Sequence, residues 1–301
     1  MPGALRVYDI RIAPRTFYAW LRRGPSKRAL WETTVTEILA GFYEPDDHGR
    51  RRPESLYGAV KMWAHLNRLG IPVARCTVER LMRRHGWRGV VRGRKICTTI
   101  RSRAAGRAAD LVDRCFGAAA PNQLLVADFT YVRVRSGFVY TAFVIDAFAG
   151  MIVGWDVTTT PNAAMVERAL ADGLDFRRRS GHPIGSGAVH HSDAGSQYTS
   201  IAFGKQLIEA AIRPSIGSVG DAYDNALAET TIGLYKIECI QPGSPFHTGL
   251  SDLGAVELAT AEWVHWYNTA RLMHRLGRRP PTEAEAEYYA QQSNDQPVAH
   301  V

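Results

Sequence analysis

Apolar and polar positions recur along this chain with two different periods, and the change from one to the other divides it. Tyr57, Val60, Trp63, Leu66 and Leu69 fall at helical spacing, and Gly70 is placed to cap the run. After Ile71-Pro72-Val73 the pattern predicts a second short helix from Thr77 to His85, with Val78, Leu81 and Met82 inward and Gly86 at its end. Two helices joined by a tight turn, the second carrying Arg75, Arg80, Arg83 and Arg84, fit a helix-turn-helix. A helical pair with no nucleic-acid role would show the same pattern. Residues 1–30, with Tyr18, Trp20 and Leu21, read as a helical lead-in to this small all-α unit over 31–90.

From Pro121 the period shortens. Leu124 to Val132 reads as a strand, Ser136-Gly137 as a turn, and Phe138–Ile145 and Met151–Val157 as two further strands rich in β-branched and aromatic residues. A helix is predicted from Asn162 to Arg178, a strand from Gly187 to about Ser192, and a helix from Ile201 to Ala211. A short strand over Arg213–Ile216 and a long helix from Tyr223 to Cys239 complete the series. Strands first, then strands alternating with helices, imply an α/β fold with a mixed sheet flanked by helices. This unit is expected over 121–245, with a helical extension over 246–301 whose Trp263, Trp266 and Tyr267 belong to its core.

Between the two units, from Arg83 to Arg107, nine Arg or Lys residues occur without an acid: Arg83, Arg84, Arg88, Arg92, Arg94, Lys95, Arg101, Arg103 and Arg107. Apolar periodicity is lost after Val91, so 91–120 reads as a linker joining two separately packed parts. It is either a solvated connector or a strip that tracks phosphates. The net charge of +8 favours a polyanionic partner. No stretch reaches the roughly 18 consecutive apolar residues of a membrane span, and the N-terminus lacks a secretory layout. A cytoplasmic protein without a membrane partner is expected. The four scattered cysteines form no CxxC pair, which argues against a zinc site or a disulfide framework.

Three acids stand out by position. Asp128 interrupts an apolar strand, Asp193 falls where the fourth strand runs out, and Glu229 lies within the long helix. On that helix Asn225, Glu229, Ile232 and Lys236 are expected on one face, with Tyr223, Leu227, Thr230, Leu234 and Ile237 on the other. Three separated carboxylates suit magnesium, a hard cation that takes few protein ligands, and two such ions can serve phosphodiester displacement. Ordinary surface acids are the competing reading. His190 and His191, adjacent on a strand, point to opposite faces, so structural roles are expected for both.

The strings VADFTYV, GFVYTAFVIDAFAGMIVGW, HHSDAGSQYTS, GDAYDNALAETTIGLYKIE and WYNTARLMHRLGRRPP closely resemble successive motifs of orfB-type transposases of insertion-sequence family three. The resemblance runs from about Val35 to Tyr289 and includes the 35 residues between Asp193 and Glu229. It implies a ribonuclease-H-like, retroviral-integrase-like core in which Asp128, Asp193 and Glu229 are the catalytic, metal-binding acids. It further implies that Lys236 lies near the donor DNA end and that Asn225 belongs to a DNA segment. The N-terminal helices look like the family's helix-turn-helix segment, which makes Arg83, Arg84, Arg88, Arg92, Arg94 and Lys95 candidate DNA contacts. The chain departs from the family at Ala149-Gly150, commonly Ser-Arg, and at Met273, where a histidine is usual.

The implied chemistry is cleavage of one strand at the element end and transfer of the freed 3′-hydroxyl to a second phosphodiester. Two Mg2+ ions serve it, with Mn2+ able to substitute. The implied partners are terminal-repeat and target DNA, further copies of the chain on that DNA, and the product of an upstream frame, with this chain as the catalytic half. A nuclease that cuts without joining, and a non-enzymatic DNA-binding regulator, are the rival readings.

Overall fold

The computed structural model describes residues 13–91, 117–193, 195–216 and 225–295. Arg92, Arg94, Lys95 and most of the expected basic linker lie outside these residues. Helix α1 (Pro14–Leu21) and helix α2 (Lys27–Tyr43) lead the chain, the second capped by the Ser26 side chain, which accepts from the Ala29 N–H. A 3-10 turn (Pro53–Leu56) then precedes helices α3 (Ala59–Arg68) and α4 (Arg75–His85).

Both predicted glycine stops are met. Gly70 and Gly86 adopt φ of 76° and 72°, and the following N–H groups reach back, Ile71 to Leu66 O and Trp87 to Met82 O. Val78, Leu81 and Met82 of α4 are buried against Met62 and Leu66 of α3 and Val35, Leu39 and Phe42 of α2. Tyr57 precedes α3 rather than opening it, yet is almost wholly buried; Leu69, expected inward, is exposed.

Strands β1 (Leu124–Val134), β2 (Gly137–Asp146), β3 (Met151–Thr158), β4 (Val189–Ser192) and β5 (Arg213–Ile216) form one sheet in the order β3-β2-β1-β4-β5. The hairpins β1–β2–β3 are antiparallel, while β4 runs parallel to β1 and to β5. Helix α5 (Ala163–Arg179), capped by Asn162, follows β3, and helix α6 (Ile201–Glu209) joins β4 to β5. Helices α7 (Ala226–Tyr235), α8 (Leu253–Thr269) and α9 (Pro281–Asp295) complete the chain. Alternate strand residues divide between the sheet's two faces. Leu125, Ala127, Val144 and Val153 meet Val166, Leu170, Phe203 and Leu207 of α5 and α6. Val126, Val132, Phe143 and Ile145 meet Ala228 and Tyr235 of α7 and Trp263 of α8. This is the mixed, helix-flanked sheet that the pattern implied, with the ribonuclease-H-like fold that the resemblance implied.

Two expectations are corrected. The predicted helix over 223–239 is an α-helix only to Tyr235, after which Lys236–Ile240 forms a π turn. Its inward residues are Ala228, Thr231, Ile232, Tyr235 and Cys239; Thr230 is exposed and Leu227, Leu234 and Ile237 are half-buried. The π turn admits one more residue and rotates the face, burying Glu238 beside Cys239. Glu238 there pairs with Arg271 at 2.6 Å and accepts from the Trp263 indole.

Nor do the helical unit and the sheet unit pack separately. A single hydrophobic cluster runs from Val35, Tyr57 and Leu81 through Trp266 and Tyr267 to Phe143 and Val126. The junction is made by the C-terminal extension. The Tyr57 hydroxyl donates to Ala270 O and accepts from Leu272 N, Arg278 lies over the Trp63 ring, and Arg68 pairs with Glu283. Sequence distance hid this, because the contacts join residues more than 200 positions apart. A buried ion network ties α9 back to the sheet: Arg177 of α5 meets Asp146 of β2 at 2.8 Å and Glu285 of α9 at 2.5 Å.

At the Ala149-Gly150 departure the glycine takes a left-handed backbone conformation that other residues rarely adopt. Gly150 adopts φ 67°, and a Cβ there would lie 2.2 Å from the Arg275 guanidinium, which donates to Phe148 O at 3.1 Å. Among the described residues no helix is long and apolar enough to cross a membrane.

Candidate active site

The three acids are brought to one side of the sheet by strand parity and helix period. Asp128 shares its face with Val126 and Val132, both packed toward α7 and α8. In β4, His191 pairs with Val126 and Ser192 with Ala127, so Asp193 follows the end of that strand beside Asp128. Asp193 shares the parity of Val189, which packs on the same cluster. Asn225, 8% exposed, donates its side-chain amide to Ala127 O at 3.0 Å and so anchors the start of α7 next to Asp128. Glu229 N donates to Asn225 O at 3.0 Å, placing Glu229 one turn along the same helix face.

Electrostatics agree with that placement. The Asp128 carboxyl is pushed up from 3.8 to about 8, first by burial and then by the negative charge of Asp193, with Glu229 adding to it and Lys236 opposing it. Asp193, whose side chain is held by the Gly195 N–H, is also raised, chiefly by desolvation.

The acids are close enough to repel one another without forming a finished cage. Among the described residues no three His, Cys, Asp or Glu side chains converge tightly enough to hold a metal ion. Each aspartate turns an oxygen to a backbone N–H, Asp128 to Phe129 and Asp193 to Gly195. The donors nonetheless fit a hard divalent cation. They are oxygens, and the like-charge repulsion that raises Asp128 is what a cation relieves.

Of the other predicted site residues, Lys236 is exposed at the first position of the π turn, with its ammonium 5.0 Å from the Tyr131 ring centre. Asn225 is given a positioning role toward β1. Arg83, Arg84 and Arg88 are exposed on and just beyond α4, away from its buried side. His191 bonds the Ser215 hydroxyl at 2.9 Å, while His190 packs on Phe203 with its ring pushed down to about 3 by burial. The structural roles expected of both are observed. Trp263, Trp266 and Tyr267 are buried in the core, as expected.

Tyr198 went unremarked in the sequence. It is packed between Phe129 and Phe203, its hydroxyl is buried, and its pKa is raised by burial and by both Asp128 and Asp193. Its place five residues after Asp193, in a string already singled out, was the available signal.

Comparison with known proteins bears on the same residues. Two integrase core domain models match residues 118–222 and 210–281, and an HTH-like domain model matches residues 46–95. The chain is 48% identical over 280 residues to a putative transposase for insertion sequence element IS986/IS6110 from Mycobacterium tuberculosis, covering 93% of this chain and 97% of that protein. It is 47% identical over 289 residues to the transposase for insertion sequence element IS629 from Shigella sonnei, covering 95% and 92%. The HTLV-2 integrase catalytic core domain in complex with magnesium aligns over 56% of this chain and 98% of that one, with 16% identity and a TM-score of 0.39. An integrase core, an HTH-like unit and near-complete coverage of such relatives place the chain among the orfB-type transposases of insertion-sequence family three.

Proposed function

We propose that this transposase cleaves one strand at the element end and directs the freed 3′-hydroxyl onto a second phosphodiester, with Asp128, Asp193 and Glu229 as its catalytic and metal-binding acids. The observation that carries the assignment is geometric: Asp193 follows the end of β4 beside β1, and Asn225, bonded to Ala127 O next to Asp128, sets Glu229 one turn along α7. Asp128 on β1 and Asp193 just past the end of the neighbouring β4 would hold the cation from the sheet, and Glu229 would complete its ligands from α7. Magnesium, in two ions and replaceable by manganese, supplies when bound the positive charge that offsets the attacked phosphate and the leaving oxygen. Asn225 fixes the helix start, and so Glu229, relative to β1. Lys236, exposed beside Tyr131, meets the phosphates of the donor end. No side chain forms a covalent bond with DNA in this scheme; alignment of the hydroxyl with the attacked phosphate provides the rate.

The exposed Arg83, Arg84 and Arg88 of the helix pair supply further phosphate contacts, and Arg92, Arg94 and Lys95 continue them along the chain. The partners are terminal-repeat and target DNA in the bacterial cytosol, other copies of the chain assembled on that DNA, and the product of an upstream frame.

Glu229→Gln tests the reading. It keeps size and hydrogen bonding and removes one charge. Binding to a labelled duplex should persist, because it rests on Lys and Arg. Both cleavage and strand joining in magnesium should collapse together. Joining at the parental rate would remove Glu229 from the site, and cleavage without joining in the parent would make the chain a nuclease.

A further inference from the structure

The lead-in helix has no packing role that accounts for it. None of the residues of α1 is buried, and from Ala13 to Trp31 every residue is exposed except the half-buried Phe17. The exposed side chains include Trp20, at 67%, Tyr18 and Trp31. The same stretch carries Arg15, Arg22, Arg23, Lys27 and Arg28 and no acid. Of these five only Arg28 has an ion pair among the described residues, with Glu32 at 3.1 Å.

Glu32 also fixes where this stretch lies. It accepts from Arg80 of α4 at 2.7 Å, so the exposed first turns of α2 run beside the second helix of the pair that the HTH-like match spans. On α4, Arg80, Arg83 and Arg84 fall at i, i+3 and i+4 and share one side. The basic surface of α4 is therefore continued, through the Arg80–Glu32–Arg28 chain, into Lys27, Arg23, Arg22 and α1. The eight residues of α1 span about 12 Å, close to the width of a duplex major groove.

We propose that Pro14–Trp31 is a DNA-docking arm that extends the duplex footprint of the α3–α4 pair. Arg15, Arg22, Arg23 and Lys27 meet backbone phosphates, and the Trp20 and Tyr18 rings lie against the sugars between them. Charge complementarity and continuity with α4 select duplex DNA over a second copy of the chain. The arm rests on the reading of α3–α4 as a DNA-binding pair.

The test uses the full chain and a fluorescein-labelled mixed-sequence duplex, with affinity measured between about 50 and 200 mM salt. Arg15→Ala, Arg22→Ala, Arg23→Ala and Lys27→Ala are combined in one variant, and Arg83→Ala with Arg84→Ala in another. Removing a cation that meets a phosphate should flatten the slope of log affinity against log salt by about 0.9, so the arm variant, which loses four, should have its slope reduced by about 3.6. An arm variant that keeps the parental slope while the α4 variant flattens it overturns the arm and leaves the helix pair standing. The reverse result, a flattened slope for the arm variant alone, overturns the reading of α4 and with it the arm as an extension of that pair. If the arm variant keeps its slope but sediments as a smaller species, the surface joins copies of the chain and the proposal falls. The arm buries no core residue, so both variants should melt like the parent; Arg22→Ala with Arg23→Ala is the milder substitute if one does not.

Discussion

Asp128→Asn should make the metal-free protein more stable while abolishing its chemistry. The Asp128 carboxyl moves from 3.8 to about 8 on folding, because burial and the charge of Asp193 both oppose its ionisation. Between those values the folded state holds a proton that the unfolded state has released. Stability therefore falls as pH rises from about 4 to about 8 and is flat beyond. A shift of about four units corresponds to roughly 6 kcal/mol at about 1.4 kcal/mol per unit. Asp128 is only half-buried, and solvent screening reduces this to about 2–3 kcal/mol. Asparagine is neutral in both states and keeps the oxygen that accepts from Phe129 N. In thermal unfolding with chelator present, the variant should exceed the parent by roughly 4–8 °C at pH 8 and by little at pH 5. Added magnesium should raise the parent and leave the variant unmoved, since only the parent's site binds the ion. A stability gap that stays constant from pH 5 to pH 8, or a variant less stable than the parent at pH 8, would refute the reasoning.

Three further outcomes follow from named contacts. Lys236→Ala should weaken binding to element-end duplexes and lower the salt slope by about 0.9, without altering the magnesium-induced rise in melting temperature. Arg177→Ala leaves Asp146 and Glu285 buried without their counter-charge and should cost about 3–5 kcal/mol in urea unfolding; a decrease under about 1 kcal/mol would mean that the network does not hold α9. Tyr57→Phe removes the hydroxyl shared by Ala270 O and Leu272 N, for a decrease of about 1–3 kcal/mol in the same assay.

The sheet was legible because its signals are local. β-branched runs mark β1 to β3 to within about two residues, and Asn162 and the two glycine stops mark helix ends through chemistry confined to a few positions. Asp128 and Asp193 were legible for a related reason: each breaks an apolar pattern or ends a strand, and parity then predicts their common face. The face of α7 was not. A regular wheel assumes a constant period, and the π turn at Lys236–Ile240 changes it, so Glu238 passed unnoticed although it anchors Arg271. The partnership of Tyr57 with Ala270 and Leu272 was equally hidden, because no periodic signal links a 3-10 turn to a loop more than 200 residues later.

That hidden partnership changes what the N-terminal unit can do. Had it been tethered only by the basic linker, its distance from the acids would follow the reach of a flexible chain. Instead Tyr57 and α3 are packed onto the segment that follows α8, and α4 packs on α3. Arg271 in that segment is locked to Glu238, at the end of the helix whose other end is fixed to β1 through Asn225. Each join in this series is buried, and a buried ion pair or hydrogen bond is costly to leave unmade. The helix pair and the acids are thus parts of one packed body. DNA held by Arg83 and Arg84 would lie in a fixed relation to Asp128, as alignment of a hydroxyl with a phosphodiester requires. The lead-in arm joins the same body through Glu32 and Arg80, which extends the fixed frame to the outermost basic residues described.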